Sequence, residues 1–139
     1  MATQYLDLAD FLLIGEEVLG IEVEVLQKMA NLTLADSALN APAAEFGGIE
    51  FYPDFATKVA VLCVRLIKNH PLPDGNKRVG YMCAFEFAER NGYRWHLPPG
   101  EEQEGNETVE MMKSVAAGTT DEEALAAWIA ERLEKMEAS

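Results

Sequence analysis

A run of nine residues in the middle of the chain, His70 to Arg78, combines side chains that could carry out a group transfer. The run reads His-Pro-Leu-Pro-Asp-Gly-Asn-Lys-Arg. A histidine can accept a proton at neutral pH, a carboxylate such as Asp74 can hold a divalent cation, and Lys77 and Arg78 can bind phosphate. Because helical patterns flank the run, it is predicted to be a loop that ends one helix and begins the next.

The start of the second helix is a favourable place for an anion, because the first N–H groups of a helix have no partner within it. Gly75 would allow an anion to approach the backbone closely, and Asn76, Lys77 and Arg78 add donors at the same end. Cations are mildly unfavourable at a helix N-terminus, which suggests that an anion normally neutralises them. Taken alone, Asp74 would be interpreted as a turn residue and Asn76 as a helix cap.

The same run resembles the signature of the Fic/Doc family, in which H-x-F-x-[D/E]-[G/A]-N is followed by G-x-R or K-R. The matching residues are His70, Asp74, Gly75, Asn76, Lys77 and Arg78. Leu72 stands where the family usually has Phe, a position that is normally a buried anchor. The resemblance implies that His70 is the catalytic base for a protein hydroxyl, that Asp74 carries Mg²⁺, and that Gly75 to Arg78 bind the phosphates of ATP.

Two positions distinguish the branches of this family. Members that transfer AMP usually have Gly after the Asn and a second Arg three residues beyond the first, whereas this chain has Lys77 and Tyr81. Both differences are shared by the Doc branch. That similarity implies a toxin that transfers the γ-phosphoryl group of ATP to a threonine of elongation factor Tu and stops translation. The alternatives are AMP transfer to a protein hydroxyl and a catalytically inactive binding module.

The segment before the central helices has the least helical pattern. Its glycines permit unusual backbone angles, and the next four residues alternate apolar and polar side chains like a short strand. From the residues alone, this could be a connecting loop; the resemblance implies a flap that pairs with the target peptide. The predicted flap consists of Gly47, Gly48, Ile49, Glu50, Phe51 and Tyr52.

Elsewhere the pattern is helical, and residues 1–139 are predicted to form a single all-α domain of about six helices. The predicted helices are Asp7–Leu19, Glu22–Leu39 with a break near Asn31 left open, Asp54–Asn69, Asn76–Asn91, a helix from an N-cap at Asn106 to Gly118, and a last helix opened by a capping box at Thr120–Glu123. The last helix is expected to carry Leu125, Trp128, Ile129 and Leu133 on one face. A short extended piece is expected at Tyr93–Trp95 and a turn at Pro98–Gly100.

Composition limits the possible partners. The hydrophobic content of 49% is enough for a core, and the net charge of −13 repels nucleic-acid backbones, so direct nucleic-acid binding is not expected. No stretch of about 18 apolar residues predicts a membrane span. Cys63 and Cys83 lie on apolar helical faces and are interpreted as buried free thiols of a cytoplasmic protein, since the N-terminus also lacks the basic start of a signal peptide.

Regulation is expected to come from a second protein. Many Fic proteins carry an inhibitory [S/T]-x-x-x-E-[G/N] helix, and the nearest run here, Thr119 to Glu123, is followed by Ala124. The resemblance therefore implies an antitoxin whose C-terminal segment folds onto this chain, at the flap or in grooves between nearby helices. Acidic residues cluster in Glu101–Glu110 and Asp121–Glu137, either as a solvated face or as a docking face for a basic partner.

Overall fold

The computed structural model describes residues 2–97 and 105–137. Its α-helices are α1 (Leu8–Leu19), α2 (Val23–Met29), α3 (Leu32–Asn40), α4 (Phe55–Asn69), α5 (Asn76–Arg90), α6 (Asn106–Ala117) and α7 (Glu122–Ala130). A 3₁₀ turn, Ala41–Ala43, follows α3. Strand β1 (Glu45–Phe46) pairs antiparallel with β2 (Ile49–Glu50), and β3 (Tyr93–Trp95) with β4 (Leu133–Lys135). The predicted all-α class is confirmed. The turn predicted at Pro98–Gly100 and the acidic residues Glu101–Glu104 lie outside the described residues.

The extra helix relative to the expected number arises at Asn31, which divides the predicted second helix into α2 and α3. Ala30 adopts an extended conformation after α2. Asn31 then caps α3, since its side chain accepts a hydrogen bond from the Leu34 N–H at 3.1 Å. The first helix ends as expected at Gly20, which has a φ of 69°.

Helix α4 lies at the centre of the fold and is buried on most of its surface. It packs against α3, α5, α6 and α7. The contact with α5 is close because position 80 is glycine: a Cβ there would lie 2.8 Å from Cγ1 of Ile67 in α4. Cys63 and Cys83 are buried free thiols, as predicted. Among the described residues, no helix is both long enough and apolar enough to cross a membrane.

The end of the chain differs from the sequence-based prediction. Helix α7 ends at Ala130, and Leu133 lies in β4 opposite Trp95 instead of on the last helix. Arg132 closes the turn between them, since its Nη1 donates to the Trp128 carbonyl at 2.9 Å and its guanidinium lies 3.7 Å from a Trp128 ring centroid. Pairing between β3 and β4 gives the backbone groups of both strands hydrogen-bond partners. If α7 continued for one more turn instead, β3 would lose these partners.

Two predicted helix starts are also wrong in detail. Helix α6 begins at Asn106 itself, so the preceding glycine occupies the N-cap and no side chain caps this end. Helix α7 is capped by Asp121, which accepts from the Ala124 N–H at 2.8 Å. Thr120, which the predicted capping box would have used, instead shares a hydrogen bond with the Ser114 hydroxyl.

Candidate active site

His70 stands at the end of the central helix. It follows the last residue of α4 in a left-handed conformation, with φ 52° and ψ 55°. Among residues 2–97 and 105–137 it is the only non-glycine residue with a positive φ. The side chain of His70 is exposed, whereas Pro71 and Leu72, which follow it, are buried. Because this conformation is unfavourable for a residue with a Cβ, contacts of the neighbouring residues must hold it.

Those contacts come from the inner side of the loop. Leu72 is only 2% exposed, which confirms the expected buried anchor. The Asn76 side chain brackets it: Oδ1 accepts from the Leu72 N–H at 3.0 Å, and Nδ2 donates to the Leu72 carbonyl at 2.8 Å. The Pro71 carbonyl accepts from the Asn31 N–H at 2.7 Å. The loop is thus tied to the first residue of α5 and to the start of α3.

Gly75 precedes α5 and is required by both backbone angle and space. Its φ is 84°, and a Cβ there would lie 2.5 Å from Cδ2 of Leu19 in α1. No side chain caps this end of α5. The Gly75 carbonyl accepts from the Val79 N–H at 3.0 Å, so the first regular helix bond begins here. An uncapped helix N-terminus of this kind is a place where an anion can bind.

The charged residues of the motif lie on the outside of this loop. Asp74, Lys77 and Arg78 are all exposed. Asp74 Oδ1 accepts from the Gly75 N–H at 2.9 Å, which leaves Oδ2 for another ligand. No group of three or more His, Cys, Asp or Glu side chains in the described part of the chain is arranged to hold a metal ion. The arrangement fits Mg²⁺, which is commonly held by one carboxylate together with substrate phosphates and water.

A pocket of about 190 Å³ adjoins the two cations, between α5 and α6. It is lined by Lys77, Arg78, Tyr81, Thr108, Val109 and Met112. Tyr81 is 2% exposed and packs edge-on against Trp95 at a ring-centroid distance of 5.6 Å. The position where AMP-transferring members usually carry a second arginine is therefore occupied here by a buried aromatic ring.

The predicted flap is a hairpin, although its strands are shifted. They span Glu45 to Glu50, so the ladder begins before the predicted segment and excludes Phe51 and Tyr52. Gly47 and Gly48 form its turn with φ values of 60° and 82°, as tight hairpin turns of the I′ type require. Phe51 still belongs to the same unit, because its N–H donates to the Ala44 carbonyl at 3.0 Å.

Two cations of α4 that contact this region were not singled out from the sequence. Lys58 forms an ion pair with Glu50 at 2.8 Å. Arg65 donates to the Tyr52 hydroxyl at 3.2 Å. For Lys58 the available signal was a charge in the most apolar part of α4, because an unpaired charge is rarely buried.

A separate groove of about 420 Å³ lies between α1 and α5. Its apolar lining consists of Ile14, Val18, Met82 and Phe85. Glu17, Glu86 and Glu89 also line it, and Arg78 places one end of the groove beside the motif loop. Such a groove suits an amphipathic segment that carries positive charge.

Comparisons with known proteins find two similarities. The sequence profile of the Fic/DOC family matches residues 5–88, which include the motif loop, the hairpin and most of the helices around them. The chain is also similar to Toxin Doc of Mycolicibacterium smegmatis (strain ATCC 700084 / mc(2)155). The two are 32% identical over 128 residues, which cover 92% of this chain and 92% of that protein.

Proposed function

Because this chain belongs to the Fic/Doc family, we propose that it transfers the γ-phosphoryl group of ATP to a threonine hydroxyl of elongation factor Tu, as a cytoplasmic toxin that arrests translation. Fic/Doc proteins transfer phosphate or nucleotide groups to proteins. The similarity to a protein named Toxin Doc supports the toxin role. The proposal is carried by one arrangement: an exposed histidine, His70, ends α4, and a short loop joins it to the uncapped N-terminus of α5, which carries Lys77 and Arg78 on its first turn.

His70 acts as the general base in this reaction. Its imidazole accepts the proton of the threonine hydroxyl while the hydroxyl oxygen forms a bond to the γ-phosphorus. The bond between that phosphorus and the β,γ-bridging oxygen breaks, and ADP leaves with the electron pair. The exposed position of His70 at the end of α4 gives a hydroxyl on another protein access to it. Most of the rate enhancement of phosphoryl transfer comes from positioning and charge stabilisation, which the anchored loop supports.

The phosphates of ATP bind at the start of α5. The backbone N–H groups of its first turn and the side chains of Lys77 and Arg78 supply the donors. Asn76 contributes through its backbone and by holding Leu72, since its side chain is engaged there. Asp74 would hold Mg²⁺ through Oδ2, and the ion would supply positive charge against the phosphates.

The choice of the γ-phosphoryl group depends on Lys77 and Tyr81. A lysine side chain crowds the nest that would receive the α- and β-phosphates of an AMP donor. Tyr81 carries no positive charge and is buried beside Trp95, so the phosphate contact of a second arginine is missing.

The test uses ATP labelled separately on the α- or γ-phosphate, with elongation factor Tu as acceptor. We expect γ-label on a threonine and none with His70→Ala. Transfer of α-label with release of pyrophosphate would instead place the chain in the AMP-transferring branch. No transfer of either label would favour an inactive binding module.

We also propose an antitoxin partner whose C-terminal segment folds as a helix in the α1–α5 groove. The apolar lining beside Glu17, Glu86 and Glu89 supports a segment with Lys or Arg next to apolar anchors. Ordering a disordered segment costs about 2–5 kcal/mol, so the interface must be large.

The partner is tested by co-expression with the neighbouring open reading frame, followed by co-purification and a growth assay. Glu17→Lys should weaken capture, whereas Glu24→Lys, on α2 and away from the groove, should not. A chain that is harmless alone and captures no such protein would refute the toxin–antitoxin assignment.

A further inference from the structure

The four paired residues of the β1–β2 hairpin are all exposed, although Glu50 reaches a buried lysine of α4. Its register pairs Glu45 with Glu50 and Phe46 with Ile49, and successive side chains point to opposite faces. Phe46 and Ile49 are 80% and 74% exposed. Burial of apolar surface therefore does not hold the hairpin in place, and other contacts must do so.

Lys58 of α4 provides the first of these contacts. Its side chain is 4% exposed, and Nζ lies 2.8 Å from Glu50 Oε1 in β2. Nζ also lies 3.3 Å from the carbonyl oxygen of Pro42, which precedes the hairpin, and 5.6 Å from the Tyr5 ring centroid. This buried ammonium group thus connects α4 with two places, the segment that leads into the hairpin and strand β2. Such a group destabilises its surroundings strongly when one partner is removed.

Arg65 provides the second contact from the same face of α4, since it follows Lys58 by two helical turns. Its Nη2 donates to the Tyr52 hydroxyl at 3.2 Å, and its Nε donates to Glu122 Oε2 of α7 at 2.7 Å. The chain that leaves the hairpin is therefore also tied to α4. The bond to α7 keeps the guanidinium in one orientation.

The helix that carries both cations ends at His70. At a rise of about 1.5 Å per residue, Lys58 lies about 18 Å and Arg65 about 7.5 Å from His70 along the helix axis. A helix buried on most of its surface acts as a rigid spacer between these points.

We propose that Lys58 and Arg65 are positioning residues that fix the hairpin relative to His70, so that an extended acceptor segment on the hairpin places its hydroxyl at the base. This inference rests on the proposed function and on the flap role that the family resemblance implies for the hairpin; what it adds is that Lys58 and Arg65 hold the hairpin in place. The exposed Phe46 and Ile49 give such a segment apolar contacts, and the hairpin backbone can add hydrogen bonds.

Amide hydrogen exchange of the full chain tests the positioning without any acceptor. Glu50→Ala removes the partner of Lys58, and Tyr52→Phe removes only the hydroxyl bound by Arg65. We expect the amides of residues 44–51 to exchange about tenfold faster in Glu50→Ala, with the amides of residues 62–69 in α4 unchanged. Glu45→Ala is the matched control, because Glu45 lies directly across the ladder and takes no part in the ion pair. Equal exchange in Glu50→Ala and Glu45→Ala would overturn the inference.

Kinetics with elongation factor Tu then separate positioning from general stability. We expect kcat/KM for the protein acceptor to fall about tenfold in Glu50→Ala and Tyr52→Phe, with KM for ATP within about twofold of the original chain. An equal loss for ATP would show that the contacts act on the nucleotide loop and would overturn the positioning role. If the unmodified chain labels no elongation factor Tu, the proposed function fails, but the exchange measurement still decides whether the cations hold the hairpin.

Discussion

Gly75 is constrained by its positive φ and by the close approach of Leu19, and replacing it by alanine would act on both constraints. The φ of 84° is unfavourable for any residue with a Cβ and costs about 1–2 kcal/mol. The new methyl group would also lie 2.5 Å from Cδ2 of Leu19, which must move or push α1 from α5. Overpacking of this kind costs about 1–3 kcal/mol, and the half-buried Leu19 favours the lower part of that range. The expected loss in the free energy of unfolding is therefore about 2–4 kcal/mol.

Gly20→Ala is the matched control for the backbone contribution. Its φ is 69°, and a Cβ there would meet nothing within 4 Å, so only about 1–2 kcal/mol should be lost. Urea denaturation at constant pH measures both variants, with an unchanged m-value as evidence that the denatured state is the same.

The double variant Leu19→Ala/Gly75→Ala isolates the steric contribution. Removing the Leu19 side chain gives the new methyl group room, so the double variant should be about 1–2 kcal/mol more stable than the sum of the single changes predicts. Additivity within about 0.5 kcal/mol, or equal losses in Gly75→Ala and Gly20→Ala, would refute the close approach of α1 to the loop.

Three further outcomes are expected. His70→Ala should abolish growth inhibition and reduce γ-label transfer by about 10²–10⁴-fold while calorimetry shows unchanged ATP affinity; a fully toxic variant would contradict the assignment of His70 as the base. Asp74→Ala should remove the Mg²⁺ dependence of ATP binding, and Arg78→Ala should lower the affinity for ATP, both measured by calorimetry. Unchanged ATP affinity in both variants would place the phosphates elsewhere. Burial raises the pKa of Asp10, but hydrogen bonds and the charge of Arg90 lower it by more, so the folded pKa is below its ordinary value. The stability that this shift provides is present above the pKa of the unfolded state and is lost as the pH falls through the pKa of the folded state. Asp10→Asn should therefore reduce the loss of stability against urea below about pH 4. An unchanged dependence of stability on pH would contradict this.

The candidate site could be predicted from the sequence to the extent that its signals are local. Gly20 and Asn31 mark helix ends by backbone preference and side-chain capping, and both features are present. His70 ends α4 and Arg78 lies in the first turn of α5, so predicting these two helices placed both residues at the helix ends that one short loop joins. The direction of the Asn76 side chain was not predictable in this way, because it depends on Leu72 being buried beneath it.

Features that depend on distant parts of the chain were missed. The pairing of Trp95 with Leu133 joins segments that are far apart in sequence, and the apolar periodicity around Leu133 is equally compatible with a helix. The contacts of Lys58 with Glu50 and of Arg65 with Tyr52 arise only when the hairpin folds against α4. Charged residues at those positions have no local preference that reveals a partner.

The left-handed backbone of His70 gives this position an evolutionary meaning. Glycine would relieve about 1 kcal/mol of conformational strain there. Drift under selection for stability alone would therefore replace the histidine. In a lineage that had lost the reaction but kept the fold, position 70 should change early, towards glycine, while the buried Leu72 and Asn76 persist. A histidine at this position in a distant descendant would then record continued selection on the chemistry.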